Sequence, residues 1–185
     1  MTLLGLLAEI RTRYADKLAA AVASVDSHVE PALRTADGSL AVDGALSLPC
    51  RVDFIPRDQS GSTGRVDATS HLDFEPLEVE YGKCTVHFNP FTWDWVQMSV
   101  EGLPAHEVSE IAKLWFLRWF DAEDANDLDA QGLYGVAHFL GEPVAAEGKV
   151  QFTVDLGSAP PIALDELLND LSSRGAIAAS ERPGG

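Results

Sequence analysis

The chain has 185 residues, 46% of them apolar and 23% charged, and 13 Lys and Arg against 29 Asp and Glu leave a formal charge of -16. This is a globular composition: it excludes intrinsic disorder as a class, and a chain of this length buries enough surface to fold without disulfides or a structural metal. No run reaches the roughly 18 uninterrupted apolar residues of a membrane span, and the negative field repels phosphate backbones and anionic headgroups, so neither nucleic acid nor membrane is an expected partner.

From residue 3 to 24, Leu3, Leu6, Leu7, Ile10, Tyr14, Leu18 and Val22 recur at intervals of three and four, with Glu9, Arg13, Asp16 and Lys17 off the stripe. That spacing predicts an amphipathic helix. Its opening carries no basic segment and no small-residue cleavage pattern, so it reads as a helix start and not as a secretory leader, and the cytoplasm is the expected compartment. Pro31 and Asp37-Gly38 then punctuate the chain, and strands are predicted over 40–48, broken at Asp43-Gly44, and over 51–55. Cys50 and Cys84 each alternate with apolar neighbours and are expected as inward-facing free thiols.

Residues 57–64 are polar and glycine-rich, which predicts a hairpin loop leading to the alternating run Val66, Ala68, Leu72, Phe74. The loop is no phosphate cradle, because no lysine follows its glycines, and Ser60 stands where a nucleophile elbow at Ser62 requires glycine. At Glu75-Pro76 the alternation slips by one residue, marking a bulge or an edge. Tyr81-Gly82 reads as a two-residue hairpin turn pairing Glu80 with Lys83, Val79 with Cys84, Glu78 with Thr85 and Leu77 with Val86.

The segment 92–101 alternates again, with Val96, Met98 and Val100 on one face and Trp93, Trp95, Gln97 and Ser99 on the other. The two tryptophans are either covered by another element or exposed as an aromatic patch for a partner. Pro104, Glu107 and Glu110 then open a helix over 105–120 with a wide apolar face. A second hairpin is expected from 132–140 and 149–156, and Pro160-Pro161 leads into a short helix through Leu164, Leu167, Leu168 and Leu171, closed by Gly175. The expected fold is a single α+β domain over 1–175, ordered α, four or five strands, α, β, β, α. It has about five to seven antiparallel strands with three helices on one side, and residues 176–185 are expected as a flexible tail.

Asp121, Glu123, Asp124, Asp127 and Asp129 follow directly on the second helix, where the helix dipole disfavours negative charge. A broken local rule of this kind is commonest at functional sites, so the loop, together with Trp93 and Trp95, is the leading candidate for docking something cationic. The expectation that follows is an acidic cytoplasmic protein that binds a basic protein, in the manner of an inhibitor or immunity-type partner of a basic effector. Asp127, Asp129, Gln131 and Gly132 match the opening of a calcium loop, but the position of the closing glutamate holds His138, so no metal is expected. His106-Glu107 begins like a zinc-protease helix and lacks the second histidine, which is Glu110.

An alternative is a small-ligand-binding protein or metal-dependent enzyme. It would use His71 and Asp73 on one outward strand face with Glu78, Glu80 and His87 on the next, or a pocket lined by Trp93 and Trp95. Cys84 and His87 lie on opposite faces of their strand, which argues against a cysteine hydrolase. A third reading is a homodimer pairing through the tryptophan-bearing face. The sequence contains no complete catalytic or cofactor motif, and it identifies no partner for His28 or His138.

Overall fold

The computed structural model describes residues 2–58, 60–66 and 72–183. It has an α+β fold. Helix α1 (Leu3–Ser24) starts where the Thr2 hydroxyl accepts from the Gly5 amide at 3.2 Å, and it buries Leu6, Leu7, Ile10, Tyr14 and Leu18, the predicted stripe. Two small two-stranded sheets follow. In one, β1 (Ser27–Val29) pairs with β4 (Phe54–Pro56); in the other, β2 (Val42–Asp43) pairs with β3 (Leu48–Pro49).

The main sheet has seven strands: β5 (Leu77–Tyr81), β6 (Cys84–Phe88), β7 (Val96–Glu101), β8 (Phe139–Leu140), β9 (Val144–Ala146), β10 (Lys149–Asp155) and β11 (Ala178–Pro183). Their order is β5-β6-β11-β7-β10-β8, with β9 also on β10. Helices α2 (Ala105–Phe120) and α3 (Pro161–Ser173) pack on each other, and α3 also packs on α1. The period-2 pattern decides which sheet face they cover. Val96, Met98, Val100, Val150, Phe152 and Val154 are buried in one core with Trp115, Phe116, Leu164 and Leu168, while Gln97 and Gln151 point outward and are exposed.

Four differences from the sequence reading have physical causes. The β5–β6 turn lies one residue later, at Gly82-Lys83, so that Tyr81 pairs with Cys84 and Glu78 with His87. Gly82 supplies the left-handed φ of +62° that the turn needs, and Tyr81 is drawn into the strand because its hydroxyl donates to Asp165 at 2.6 Å. The inward and outward faces are unchanged, since the shift preserves parity.

Strand β7 begins only at Val96, after a turn in which Thr92 bridges Trp95. Trp93 therefore does not alternate with the strand but turns into the core beside Phe91, at 1% exposure. Of the run from Val66 to Phe74, Ala68 and His71 lie outside the described residues, and Val66, Leu72 and Phe74 pack on the core without forming a strand. Finally, the chain end expected as a tail runs as β11 between β6 and β7, parallel to the first and antiparallel to the second. Short-range pattern carries no signal for an insertion of that kind, because its partners lie far back in the chain. No described helix is long and apolar enough to cross a membrane.

Candidate functional site

The small β1–β4 sheet presents two acids to the end of the main sheet. Glu30, just beyond β1, and Asp53, just before β4, are joined by a bond from the Glu30 amide to the Asp53 carbonyl at 2.8 Å. The strand approaching β8 lies alongside: the Arg51 amide donates to the His138 carbonyl at 2.9 Å, and the His138 amide donates to the Asp155 carbonyl at 3.0 Å. Backbone pairing therefore brings Glu30, Asp53, His138 and Asp155 together from four separate stretches of chain.

His138, 1% exposed, is the centre of this group. Its Nε2 lies 2.8 Å from Glu30 Oε1, and its Nδ1 lies 3.3 Å from Asp53 Oδ1 without the alignment of a hydrogen bond. Burial alone would favour the neutral ring, but the Asp53 and Glu30 carboxylates, with the field of Asp155, outweigh it and push the pKa up to about 10. The ring is an imidazolium at neutral pH, and both nitrogens are donors.

Glu30, fully buried, also accepts from the Tyr134 amide at 2.8 Å and the Ser158 amide at 3.1 Å. Burial opposes its charge, yet His138 and these donors hold its pKa below the ordinary value. Asp53 is held low in the same way: burial pushes up, and His138, the Tyr14 hydroxyl at 2.6 Å and the Val66 amide pull down. Tyr14 itself is raised well above its usual value, by burial and then by Asp155 and Asp53. Asp155 behaves differently. Burial pushes its carboxyl up, His138 and the Gly157 amide resist, Asp53 and Asp94 add repulsion, and the balance lies at about 7.

Asp53, His138 and Asp155 open onto a cavity of about 260 Å³ lined also by Arg65, Asp94 and Trp95, among others. Trp95 forms a flat wall, stacked on Phe139 with centroids 6.0 Å apart and planes 5° from parallel. The Arg65 guanidinium lies over the indole at 5.7 Å. A concave site that gathers titratable groups with displaced pKa values is the kind of place where ligands bind and protons move. Within it, Asp155 is poised to give or take a proton near neutral pH, while His138 is a fixed charge and hydrogen-bond donor.

The acidic loop after α2 is organised otherwise. Arg51, buried, donates from Nε to the Phe120 carbonyl at 2.8 Å and from Nη2 to the Asp121 carbonyl at 2.6 Å, and its guanidinium lies 4.8 Å over the Phe120 ring. A buried cation thus caps the negative end of the helix, which removes the apparent conflict with the helix dipole. Asp121, left-handed at φ +56°, accepts from the Ala125 and Asn126 amides.

Asp124 pairs with Arg34 at 2.8 Å and Arg51 at 2.7 Å. Asp129 accepts from the Gln131 and Leu133 amides and lies 3.7 Å from Arg11, and the Gln131 side chain donates to Asp16. Asp129 and Gln131 are thereby turned to other partners and not toward a shared ion. Glu123 and Asp127 remain exposed. Among the described residues, no group of three or more His, Cys, Asp or Glu is placed to hold a metal.

The other predicted cluster stays on the open sheet face. His87 pairs with Glu78 at 3.1 Å, Glu80 accepts from the Thr85 hydroxyl, Asp73 is exposed, and His71 lies outside the described residues. Of the two tryptophans, Trp95 lines the cavity, and Trp93, in the core, offers no surface to a partner. Sequence reasoning missed Tyr14, Glu30, Asp53, Asp94 and Asp155 as site residues. The signals available were weak: Asp94 between two tryptophans, and Asp53 interrupting the apolar pair Val52 and Phe54. Compared with known proteins, the chain matches no family model, no curated sequence and no solved structure, so the site's own chemistry is what bears on function.

Proposed function

We propose that this protein binds a small polar ligand in the cavity floored by His138, Asp53 and Asp155 and walled by Trp95. The observation that carries the reading is His138: a buried imidazolium lining the cavity whose Nδ1 faces the Asp53 carboxylate at 3.3 Å without the alignment of a hydrogen bond. Asp53 compensates the charge at that nitrogen but does not take its N–H in line, and a ligand atom accepting from it completes the bond. Asp155 beside it provides a proton that can be exchanged on binding. A cytoplasmic setting agrees with the two free thiols, Cys50 and Cys84.

The test is a titration of the intact protein with methylguanidinium, methylurea, acetate and inorganic phosphate at millimolar concentration, following the imidazole NMR signals of His138 and the indole NH of Trp95. At least one probe is expected to move both sets of signals. If all leave them unmoved, the cavity is not a binding site.

A basic protein partner is the second reading, favoured by the charge of -16 and by exposed Glu123 and Asp127. Recovery of such a partner in a pull-down is expected to fall as salt rises, and salt-insensitive capture rules this contact out.

A further inference from the structure

Resting on the reading that the cavity binds a small ligand, we infer that this ligand presents an uncharged, planar amide or ureide group. Its carbonyl oxygen accepts from His138 Nδ1, its N–H donates to the Asp155 carboxylate, and its flat face lies against Trp95.

The acceptor is dictated by His138. Nε2 is taken by Glu30 at 2.8 Å, whereas Nδ1 faces Asp53 Oδ1 at 3.3 Å out of line, so one N–H is left to be completed from the cavity. An atom accepting from Nδ1 comes to lie close to the Asp53 carboxylate, where a second full negative charge is repelled. A carbonyl oxygen accepts the same bond with only a partial charge.

The surrounding charges are already matched. His138 is flanked by Glu30 and Asp53, Arg51 is bound to the Glu30, Phe120 and Asp121 carbonyls and to the Asp124 carboxylate, and Asp94 is engaged with a partner of its own. A ligand cation would set its charge against the imidazolium and offer it no lone pair. An uncharged group avoids both conflicts.

Asp155 meets the other half of the ligand. The His138 amide donates to the Asp155 carbonyl at 3.0 Å, which holds the two residues side by side, and both line the cavity. One Asp155 carboxylate oxygen accepts from the Gly157 amide at 2.9 Å, and an ionised carboxylate has lone pairs for further donors. A donor next to an acceptor is the complement of the O=C–N–H edge of an amide. The Trp95 ring, fixed by its stacking on Phe139, supplies a flat apolar wall for the face of that group.

The arrangement couples binding to a proton. The groups that bear on Asp155 are His138 from the approach to β8, Asp53 ahead of β4, Asp94 ahead of β7 and Tyr14 of α1, with Arg51 and Arg65 in the same lining. Between pH 6 and 8, His138 keeps its charge, Asp53 stays ionised and Tyr14 stays neutral, whereas Asp155 changes charge at about 7. A ligand N–H donating to Asp155 favours its carboxylate, and the displaced proton leaves to solvent.

The experiment titrates the intact protein at pH 6 and pH 8 with methylurea, its charged isostere methylguanidinium, acetate, and tetramethylurea, which keeps the carbonyl and has no N–H. Affinity is read from the His138 and Trp95 NMR signals. Methylurea is expected to bind most tightly of the four. Its affinity is expected to be about tenfold higher at pH 8 than at pH 6, the ratio of the ionised fractions of Asp155. Asp155→Asn keeps an accepting oxygen and is expected to bind methylurea equally at both pH values. Acetate, methylguanidinium or tetramethylurea binding as tightly as methylurea, a methylurea affinity that does not rise with pH, or a rise that persists in Asp155→Asn overturns the inference and leaves the cavity reading standing. Silence from all probes removes the cavity reading itself. The contrasts between probes and between pH values use the wild-type protein alone, so they hold however the variant folds.

Discussion

Two sets of acidic residues in this molecule obey different physics. In the loop after α2, five acids fall within 121–129, and the bonded ones are served mainly by nearby amides, by the partly buried Arg11, by Arg34 at the surface and by the buried Arg51. In the cavity, Glu30, Asp53 and Asp155 come from distant parts of the chain, and Glu30 alone reaches Ser158, 128 residues away. Crowding of carboxylates along a sequence is tolerable only where water or short-range donors solvate each one. Burial spreads them out, because each desolvated charge needs a partner delivered by tertiary structure. Density of charge in a sequence therefore marks exposure and not burial.

The contrast is sharpest in the central histidine. His138→Gln leaves the buried carboxylates of Glu30 and Asp53 without their cation, and it is expected to cost about 3–5 kcal/mol in urea unfolding at neutral pH. A loss under about 1 kcal/mol would mean that the two acids protonate or rehydrate readily, and the distinction between the two regions would collapse. The pH dependence follows with a definite sign. Glu30 and Asp53, held below their ordinary values, contribute stability at neutral pH that is lost as pH falls through their folded pKa values. His138 contributes stability that is fully present below pH 6.5 and lost as pH rises through about 10.

Asp155 runs the other way from its carboxylate neighbours. Its carboxyl is raised from 3.8 to about 7, so between those values the folded state holds a proton that the unfolded chain releases, and stability falls as pH rises from 3.8 to about 7. Asp155→Asn is expected to stabilise the protein by about 1–3 kcal/mol at pH 8. Unfolding curves taken at successive pH values should show that gain shrinking as pH drops below about 7. A gain that does not vary with pH would place the titration elsewhere.

Smaller still is Tyr14→Phe, which removes the 2.6 Å bond to Asp53 and is expected to cost about 1–2 kcal/mol. In the exposed loop, Glu123→Gln and Asp127→Asn should each change stability by less than about 0.5 kcal/mol. Millimolar calcium should leave the melting temperature where it was, because Asp129 and Gln131 are already engaged with Leu133 and Asp16. A calcium-dependent rise in melting temperature would turn the loop into a cation site and reverse its contrast with the cavity.

Much of the architecture was legible in the chain. The three helices lie where periodicity places them, and the β5–β6 hairpin keeps its predicted faces although its turn moves by one residue. Of the two cysteines expected as inward-facing thiols, Cys84 is buried and Cys50 only partly so. The cavity was not legible. Its acids sit at strand ends and in connections such as Glu30, Asp53 and Asp94, where a charged residue looks like ordinary punctuation. His138 in particular looks isolated until Glu30 and Asp53 are brought across more than eighty residues to meet it.

The sequence by itself determined the local elements, because helix and strand periodicity express which side chains must leave water within a few residues of one another. It also determined the strong negative charge, which is a matter of composition. Only the tertiary structure decided which acids are buried, which of them share a histidine, and that β11 returns to the middle of the sheet. Those outcomes depend on long-range pairing and desolvation, and neither is encoded in the neighbours of any single residue.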